Sequence, residues 1–427
     1  MDGFLWLSLQ RSGILKKIYR KPLLNDEPKF FGFGVELDLE KIHTDGEFPD
    51  AYSSGSSKDE ATALLKAIFE GVERFNLAEF EFKEFVFGSC KDVDKSILAV
   101  APRNFCYLSK NQINDKDCSD FCFSNKCKFY WTKCKDLTTN RDVLLPSQVI
   151  YCPYKYKNNE KILTFPITTG ASVAENTSEA LYKGICEVIE RDAYITNYLL
   201  RLEPNEIIYK DINSKVIIGL LEDFKKYDLE IKSYILVSEF RIPTVLSAII
   251  DRTGKGPALC IGLKTDWSLE KAIIGSIEEA FQIRLWIRMV MIEDKWSGDT
   301  YTNKNMLRRA YLWKDLSGLK KFGFVLNSRG IAKVSDEEIN KYSNKSPKEK
   351  LKLIKQELAK TNRHIYYKDV TSKTFKKMGL TIVKCIVPDL HPMFINQDFP
   401  YLGGKRIGQL MKRYNIKTLN LYPHPFL

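Results

Sequence analysis

The chain has 427 residues, 44% of them hydrophobic and 28% charged; that is enough apolar material for one large core or two ordinary ones, and it excludes disorder as the main state. With 66 Lys and Arg against 54 Asp and Glu the formal net charge is +12, and such a surface attracts anions, whether nucleotides, nucleic acids or acidic peptides. The opening Met1-Asp2-Gly3-Phe4 lacks the basic and apolar regions of a signal peptide, and no run approaches the roughly 20 apolar residues of a spanning helix, so the expectation is a soluble cytoplasmic protein, not membrane-bound, whose ten cysteines are mostly reduced.

Apolar periodicity predicts a first helix over 59–79 and a second over 177–200. β-Branched and aromatic residues then predict strands over Tyr234 to Val237 and Thr244 to Ile250, followed by a helix over 268–294. A further helix is expected over 347–360, capped at Ser346-Pro347, and a last strand over Leu380 to Val387. No Pro/Gly/Ser-rich linker divides this α+β chain, so residues 1–427 are expected to form one domain.

An internal repeat organises it. At an offset of 117 residues, Ala63 to Arg74 (ALLKAIFEGVER) lies over Ala180 to Arg191 (ALYKGICEVIER) with seven of twelve positions identical. A weaker third copy begins at Ala272 and puts Glu279 and Gln282 at the same two offsets, followed by Arg284. On a helix, Leu64, Leu65, Ile68, Val72 and Phe75 form one apolar stripe, as do Leu181, Ile185, Val188 and Ile189, while Glu70 with Glu73 and Glu187 with Glu190 project together on the other side.

A single Glu-x-x-Glu pair is ordinarily solvated helix surface. Duplication in register points instead to four carboxylates converging on one polar cavity, where like charges need cations between them. Hard oxygen ligands suit Mg2+, which completes its shell with water and substrate phosphates. Arg74 and Arg191 are then placed to hold phosphate oxygens or to pair with the neighbouring carboxylates. Small residues precede each copy, Thr168 to Ser172 before the second, with Asn176 or Thr177 as N-cap, and Ser53-Ser54-Gly55-Ser56-Ser57 before the first. Neither stretch is a Walker loop, so a standard P-loop ATPase is excluded.

These segments together resemble the YcaO family, whose members bind ATP on a non-Walker, pseudo-repeated mixed α/β fold with Mg2+ held by helix glutamates. Asn176 to Ala193 carries the likeness most specifically; Ala63 to Arg74 and Ala272 to Arg284 look like the family's first and third motifs. Trp131 to Pro146, Val383 to Leu390 and Gly403 to Arg406 extend it over nearly the whole chain. The resemblance implies Glu70, Glu73, Glu187 and Glu190 as Mg2+ ligands, with Asn176, Arg74, Arg191, Glu279, Gln282 and Arg284 in the ATP site. Lys66, where many members have Ser, and Ser56-Ser57, where Gly-Lys-Gly is common, depart from the pattern.

The last residues, Asn420 to Leu427, look like the proline-rich tail of the SagD-like peptide cyclodehydratases, against the ordinary reading of a frayed terminus. By that likeness residues 414–427 reach the active site, where Pro423, His424, Pro425 and Leu427 order the reaction centre. His424 is the one side chain there that titrates near neutrality, although a hydrogen-bonding role suits it better than proton transfer. In such enzymes a Cys, Ser or Thr side chain of a ribosomal precursor peptide attacks the preceding carbonyl. ATP phosphorylates the resulting hemiorthoamide oxygen, and loss of phosphate leaves a thiazoline or oxazoline, a step in bacteriocin and related natural-product biosynthesis.

Partners follow from the same resemblance: a separate leader-binding ThiF-like protein, since the chain has no room for a fused one, and a flavin dehydrogenase for oxidation to azoles. Thioamide- and amidine-forming members of the family share the ATP site and are the alternative. A basic nucleic-acid-binding protein is a second one, prompted by Lys348 to Lys355 and Arg308-Arg309, but no standard motif supports it. Cys118, Cys122, Cys127 and Cys134 raise a Zn2+ site, yet their intervals of three, four and six residues match no zinc knuckle. For the oligomeric state only the general frequency of homodimers is available.

Overall fold

Fourteen strands form three sheets within the residues that this computed structural model describes, 8–9, 11–94, 97–114, 118–293 and 304–427. In chain order the first seven are Leu15–Arg20 (β1), Phe31–Leu37 (β2), Tyr52–Ser57 (β3), Val86–Ser89 (β4), Lys128–Asp136 (β5), Asp142–Pro146 (β6) and Ala171–Ala174 (β7). Asn205–Ile207 (β8), Leu229–Ile235 (β9), Thr244–Asp251 (β10), Leu259–Thr265 (β11), Gly330–Ala332 (β12), Tyr366–Asp369 (β13) and Thr381–Ile386 (β14) follow. The sheets run β1-β2-β3, then β11-β10-β9-β8-β12, then β4-β5-β13-β14-β7 with β6 on β5. Among these pairs β8 with β12 is parallel and the others are antiparallel.

Four helices cover the sheets: Glu60–Ala78 (α1), Thr177–Leu200 (α2), Leu269–Ile292 (α3) and Pro347–Lys360 (α4). All four lie within two residues of the predicted spans. Their ends are set locally: Asn176 Oδ1 accepts from the Glu179 N–H at 2.9 Å, and Ser346 forms a capping box with Glu349 ahead of Pro347.

The strands explain the packing. In β10, Val245 and Ile249 enter a core with α3, whereas Leu246, Ala248 and Ile250 enter one with the second half of α2, the period-two alternation of a strand covered on both faces. On β14, Ile382 packs with α1 and Val383 with α2. Helix α2 serves two sheets in succession, giving Leu181 and Ile185 to the core over β14 and Tyr194 and Tyr198 to the core over β10. It is therefore buried nearly all round instead of along one stripe. The N-terminal sheet adds Val35 and Leu37 to the apolar face of α1.

Three features singled out in the sequence take a definite place here. The Ser-rich stretch before α1 is a strand, β3, held by pairing with β2 and by Ser53 Oγ donating to the Ala67 carbonyl at 2.7 Å. The four clustered thiols do not converge: Cys122 and Cys127 form a disulfide, Cys134 lies in the core beneath β5, and Cys118 packs in another with Ile195 and Leu199. The basic clusters are not continuous surface either, since Arg309 is buried and donates to the Phe394 and Ile395 carbonyls, and Lys350 is buried against Asp266 at 2.9 Å.

Candidate nucleotide and metal site

The repeated helices follow strands of one special kind. β3, β7 and β11 each end their sheet, and a sheet edge leaves outward N–H groups without a strand partner. Here the first glutamate of each repeat accepts from the edge that precedes its own helix. Ser54 N–H donates to Glu70 Oε2 at 2.7 Å, Gly170 N–H to Glu187 Oε2 at 3.0 Å, and Leu263 N–H to Glu279 Oε2 at 2.6 Å.

The second position of each repeat reaches across to the next unit. Glu73 Oε1 accepts from Val173 N–H at 3.0 Å, Glu190 Oε2 from Thr265 N–H at 2.6 Å, and Gln282 Nε2 donates to Ser54 Oγ at 3.2 Å. The third link returns to the first strand, so three strand–helix units close into a ring with approximate threefold symmetry. Close approach of strand and helix is needed for this. A Cβ on Gly55 would lie 2.4 Å from the Ala63 oxygen, and one on Gly262 2.2 Å from the Ser276 oxygen, so only glycine fits at either place.

The ring encloses Arg191. Its guanidinium lies 3.5 Å from Glu187 Oε1, 3.3 Å from Glu190 Oε1 and 3.8 Å from Glu279 Oε1, the oxygens that the strands leave free. Desolvation works against its charge, but Glu190, Glu279 and Glu187 more than offset this and hold it above its ordinary value. Burial raises Glu190 to about 7, with Arg191 opposing and Glu279 adding to the rise. Burial, then the charges of Glu187 and Glu70, push Glu73 up to about 8. Glu70 sits at the outer side, 2.8 Å from Arg74, which also donates to the Tyr52 carbonyl.

Glu73, Glu187, Glu190 and Glu279 carry four negative charges when ionised, and Arg191, Lys264 and Lys384 supply three positive ones. The acids are still in excess, and carboxylates that burial and mutual repulsion hold protonated suit a hard ion such as Mg2+. Among the described residues no three His, Cys, Asp or Glu side chains form a ready-made cage, as expected where an ion takes one or two carboxylates and completes its shell with phosphates.

The other predicted residues are placed as follows. Asn176 spends its side chain on the α2 cap and on Glu179. Gln282 belongs to the ring. Arg284 does not: its guanidinium is buried between Glu27, at 2.8 Å through both Nε and Nη2, and Asp251 at 2.8 Å. The place in the ATP site expected for it is corrected to a structural ion pair.

The C-terminal residues are packed, not frayed. The Pro423 carbonyl accepts from Trp313 Nε1 at 3.0 Å and from the Tyr198 hydroxyl at 3.2 Å, and the Phe426 ring centre lies 4.4 Å from the Arg191 guanidinium. Pro425 joins His424 to Phe426 on this segment, and Leu427 packs against the core beneath α3. His424 is 1% exposed, bonds the Phe394 carbonyl at 3.1 Å and is edge-on to Tyr194 and Tyr198. Desolvation, with Arg309 adding to it, holds its pKa well below the ordinary value, so it is a neutral, packed imidazole and not a proton carrier.

Three residues at the site have no sequence signature. Lys384 is fully buried and donates to the Ile167 and Thr169 carbonyls at 2.6 Å each; burial lowers it to about 8, with Cys152, Glu187, Cys385 and Glu73 opposing. Glu278 accepts from Ser57 Oγ at 2.6 Å and pairs with Lys66 at 2.6 Å, which accounts for the lysine that departs from the family pattern. Lys264 projects from β11 between the two residues whose N–H groups bind Glu279 and Glu190.

Residues 54–391 match the family model for YcaO cyclodehydratase, ATP- and Mg2+-binding. The chain belongs to this family of ATP-dependent enzymes. A heterocyclase solved in complex with substrate and cofactor superposes with a TM-score of 0.78 at 17% identity, covering 99% of this chain and 57% of its own. The chain thus spans somewhat over half the length of that heterocyclase. YcaO from Methanopyrus kandleri bound with AMPPCP and Mg2+ gives a TM-score of 0.65 at 15% identity, covering 93% of each chain. The E. coli microcin synthetase McbBCD complex gives 0.62 at 16% identity, covering 91% of each.

A pH dependence follows from the raised carboxylates. Between about 4.5 and about 8 the folded state holds a proton on Glu73 that the unfolded chain has released, so this group makes stability fall as pH rises through that window. Thermal unfolding without divalent ions is expected to show that decline, and Glu73→Gln to remove its share. Added Mg2+ should raise the midpoint more at the alkaline end, because the ion binds the deprotonated form.

Proposed function

We propose that this protein is the cyclodehydratase component of a ribosomal-peptide pathway, using ATP and Mg2+ to convert Cys, Ser or Thr of a precursor peptide into thiazoline or oxazoline rings. The observation that carries the reading is the contact between the two ends of the site: the ring of glutamates closes on Arg191, and the C-terminal Phe426 covers that same arginine. A nucleotide site whose central cation is roofed by the chain terminus makes bound phosphate and the terminal segment neighbours. The backbone oxygen to be phosphorylated would be presented between them.

One or two of Glu73, Glu187, Glu190 and Glu279 would hold the metal, which would neutralise developing phosphate charge, while Arg191 would orient the anion. Water is a poor leaving group and phosphate a good one, which is what ATP contributes to ring closure. The SagD-like branch is the subfamily proposed. Recognition of the leader is assigned to a separate ThiF-like partner, in keeping with the relative solved as a multi-protein synthetase complex, and later oxidation to a flavin dehydrogenase.

The test is mass spectrometry of a precursor peptide, encoded near this gene, incubated with the protein, its partner, ATP and Mg2+. Loss of one water per modified residue, with stoichiometric phosphate release and little conversion without the partner, is the expected result. Replacement of an oxygen by sulfur would instead establish the thioamide alternative, and conversion by the chain alone would remove the partner from the scheme.

A further inference from the structure

Lys264 occupies an unusual position. Its neighbours on β11, Leu263 and Thr265, donate their edge N–H groups to Glu279 and Glu190 at 2.6 Å each, so the lysine emerges between two carboxylates of the ring. Its stem runs over α3 at Gly275, where a Cβ would lie 2.9 Å from its Cγ and 3.1 Å from its Cδ. The missing side chain at Gly275 makes the groove that directs it.

Although bracketed by acids, Lys264 is exposed, and among the described residues no carboxylate lies within the 4.0 Å of an ion pair with its ammonium. Arg191 and Arg74, by contrast, are already committed to glutamates. Desolvation works against the Lys264 charge, but Glu190 and Glu279 outweigh it and raise its pKa, so the ammonium stays charged beside these acids. A held but unpaired cation beside prospective metal ligands has the makings of an anion contact.

We propose that Lys264 binds the β- and γ-phosphates of the nucleotide. The assignment rests on the nucleotide reading of this site and deepens it: Glu190 and Glu279 would hold a metal that neutralises the terminal phosphates, and Lys264 stands between the strand N–H groups that bind those two residues. Its stem packing on Gly275 fixes the ammonium, so the contact is selective for phosphate number and makes no demand on the base.

The experiment is calorimetric titration of wild type, Lys264→Met, Lys264→Arg and Gly275→Ala with ATP and with AMP, each with Mg2+. Lys264→Met should weaken ATP by about tenfold or more, the loss of one charge-assisted contact, and leave AMP within about twofold. Lys264→Arg should retain most of the ATP affinity. Gly275→Ala keeps every charge and favours the helix, yet it displaces the lysine stem, so it should weaken ATP and spare AMP while remaining folded.

Equal losses for ATP and AMP, or an unchanged ATP affinity in Lys264→Met, would overturn the assignment. Should that variant not fold, Gly275→Ala decides, since full ATP affinity there is equally fatal. A wild-type protein that binds neither nucleotide with Mg2+ fails at the earlier step, the nucleotide reading itself, and takes Lys264 with it.

Discussion

Arg191→Met is expected to destabilise the fold by about 3 kcal/mol and to abolish nucleotide binding. The substitution leaves Glu187, Glu190 and Glu279 facing one another without the guanidinium that lies 3.3 to 3.8 Å from each, and breaking a buried pair by removing one partner costs about 3–5 kcal/mol. The lower figure applies because Glu190, already raised to about 7, can relieve the repulsion by taking up a proton. The variant should therefore be more stable in mild acid than at neutral pH. Mg2+ should restore part of the loss by supplying charge at the same place. Urea unfolding at two pH values, with and without Mg2+, checks this; an Arg191→Met protein as stable as wild type and insensitive to Mg2+ would show that the carboxylates do not depend on the arginine.

Arg284→Met gives the contrasting expectation. Arg284 lies two residues beyond the ring member Gln282, about half a helical turn away, and its charge is spent on Glu27 and Asp251, which are 1% exposed each. Its removal leaves Glu27 with Arg288 alone, at 3.2 Å, and Asp251 with only the Thr253 N–H and hydroxyl, and should cost about 3 kcal/mol, the low end for breaking a buried pair. The protein that remains folded should bind ATP with Mg2+ as tightly as wild type. A drop in nucleotide affinity without a drop in stability would return Arg284 to the ATP site. Comparing the two variants in one assay separates what holds the chain together from what holds the ligand.

The sequence disclosed the helices better than the strands for a physical reason. α1, α2 and α3 carry strong local signals, such as the cap at Asn176 and the apolar period of Ala63 to Arg74, and their duplication made the glutamates conspicuous. β3 and β7 carry few β-branched residues because their outward N–H groups are satisfied by side chains of the helices, so pairing and not propensity defines them. Links such as Glu73 to Val173 join residues 100 positions apart, and nothing in either neighbourhood announces them.

Individual lysines were equally silent. Lys264 and Lys384 look like any polar residue in an apolar strand until the fold shows what surrounds them. Arg284 misled in the opposite direction, because a repeat in register carries structural residues along with functional ones. His424 shows the same limit at the tail: its place in a recognisable segment was legible, while its burial among Tyr194, Tyr198 and Phe394 was not.

The glutamates at the three sheet edges have a second consequence, one for solubility. Each is the lid on an unpaired strand, and an uncovered edge invites another chain to add itself there. If the proposed function holds, alanine at Glu70, Glu73, Glu187, Glu190 or Glu279 would remove a metal or nucleotide contact and uncap an edge together, so loss of activity in such a variant would be confounded with self-association. Glutamine keeps a carbonyl oxygen for the strand N–H and surrenders only the charge, which makes it the substitution that isolates chemistry from assembly. Under the proposed function, metal binding and colloidal behaviour rest on the same five side chains.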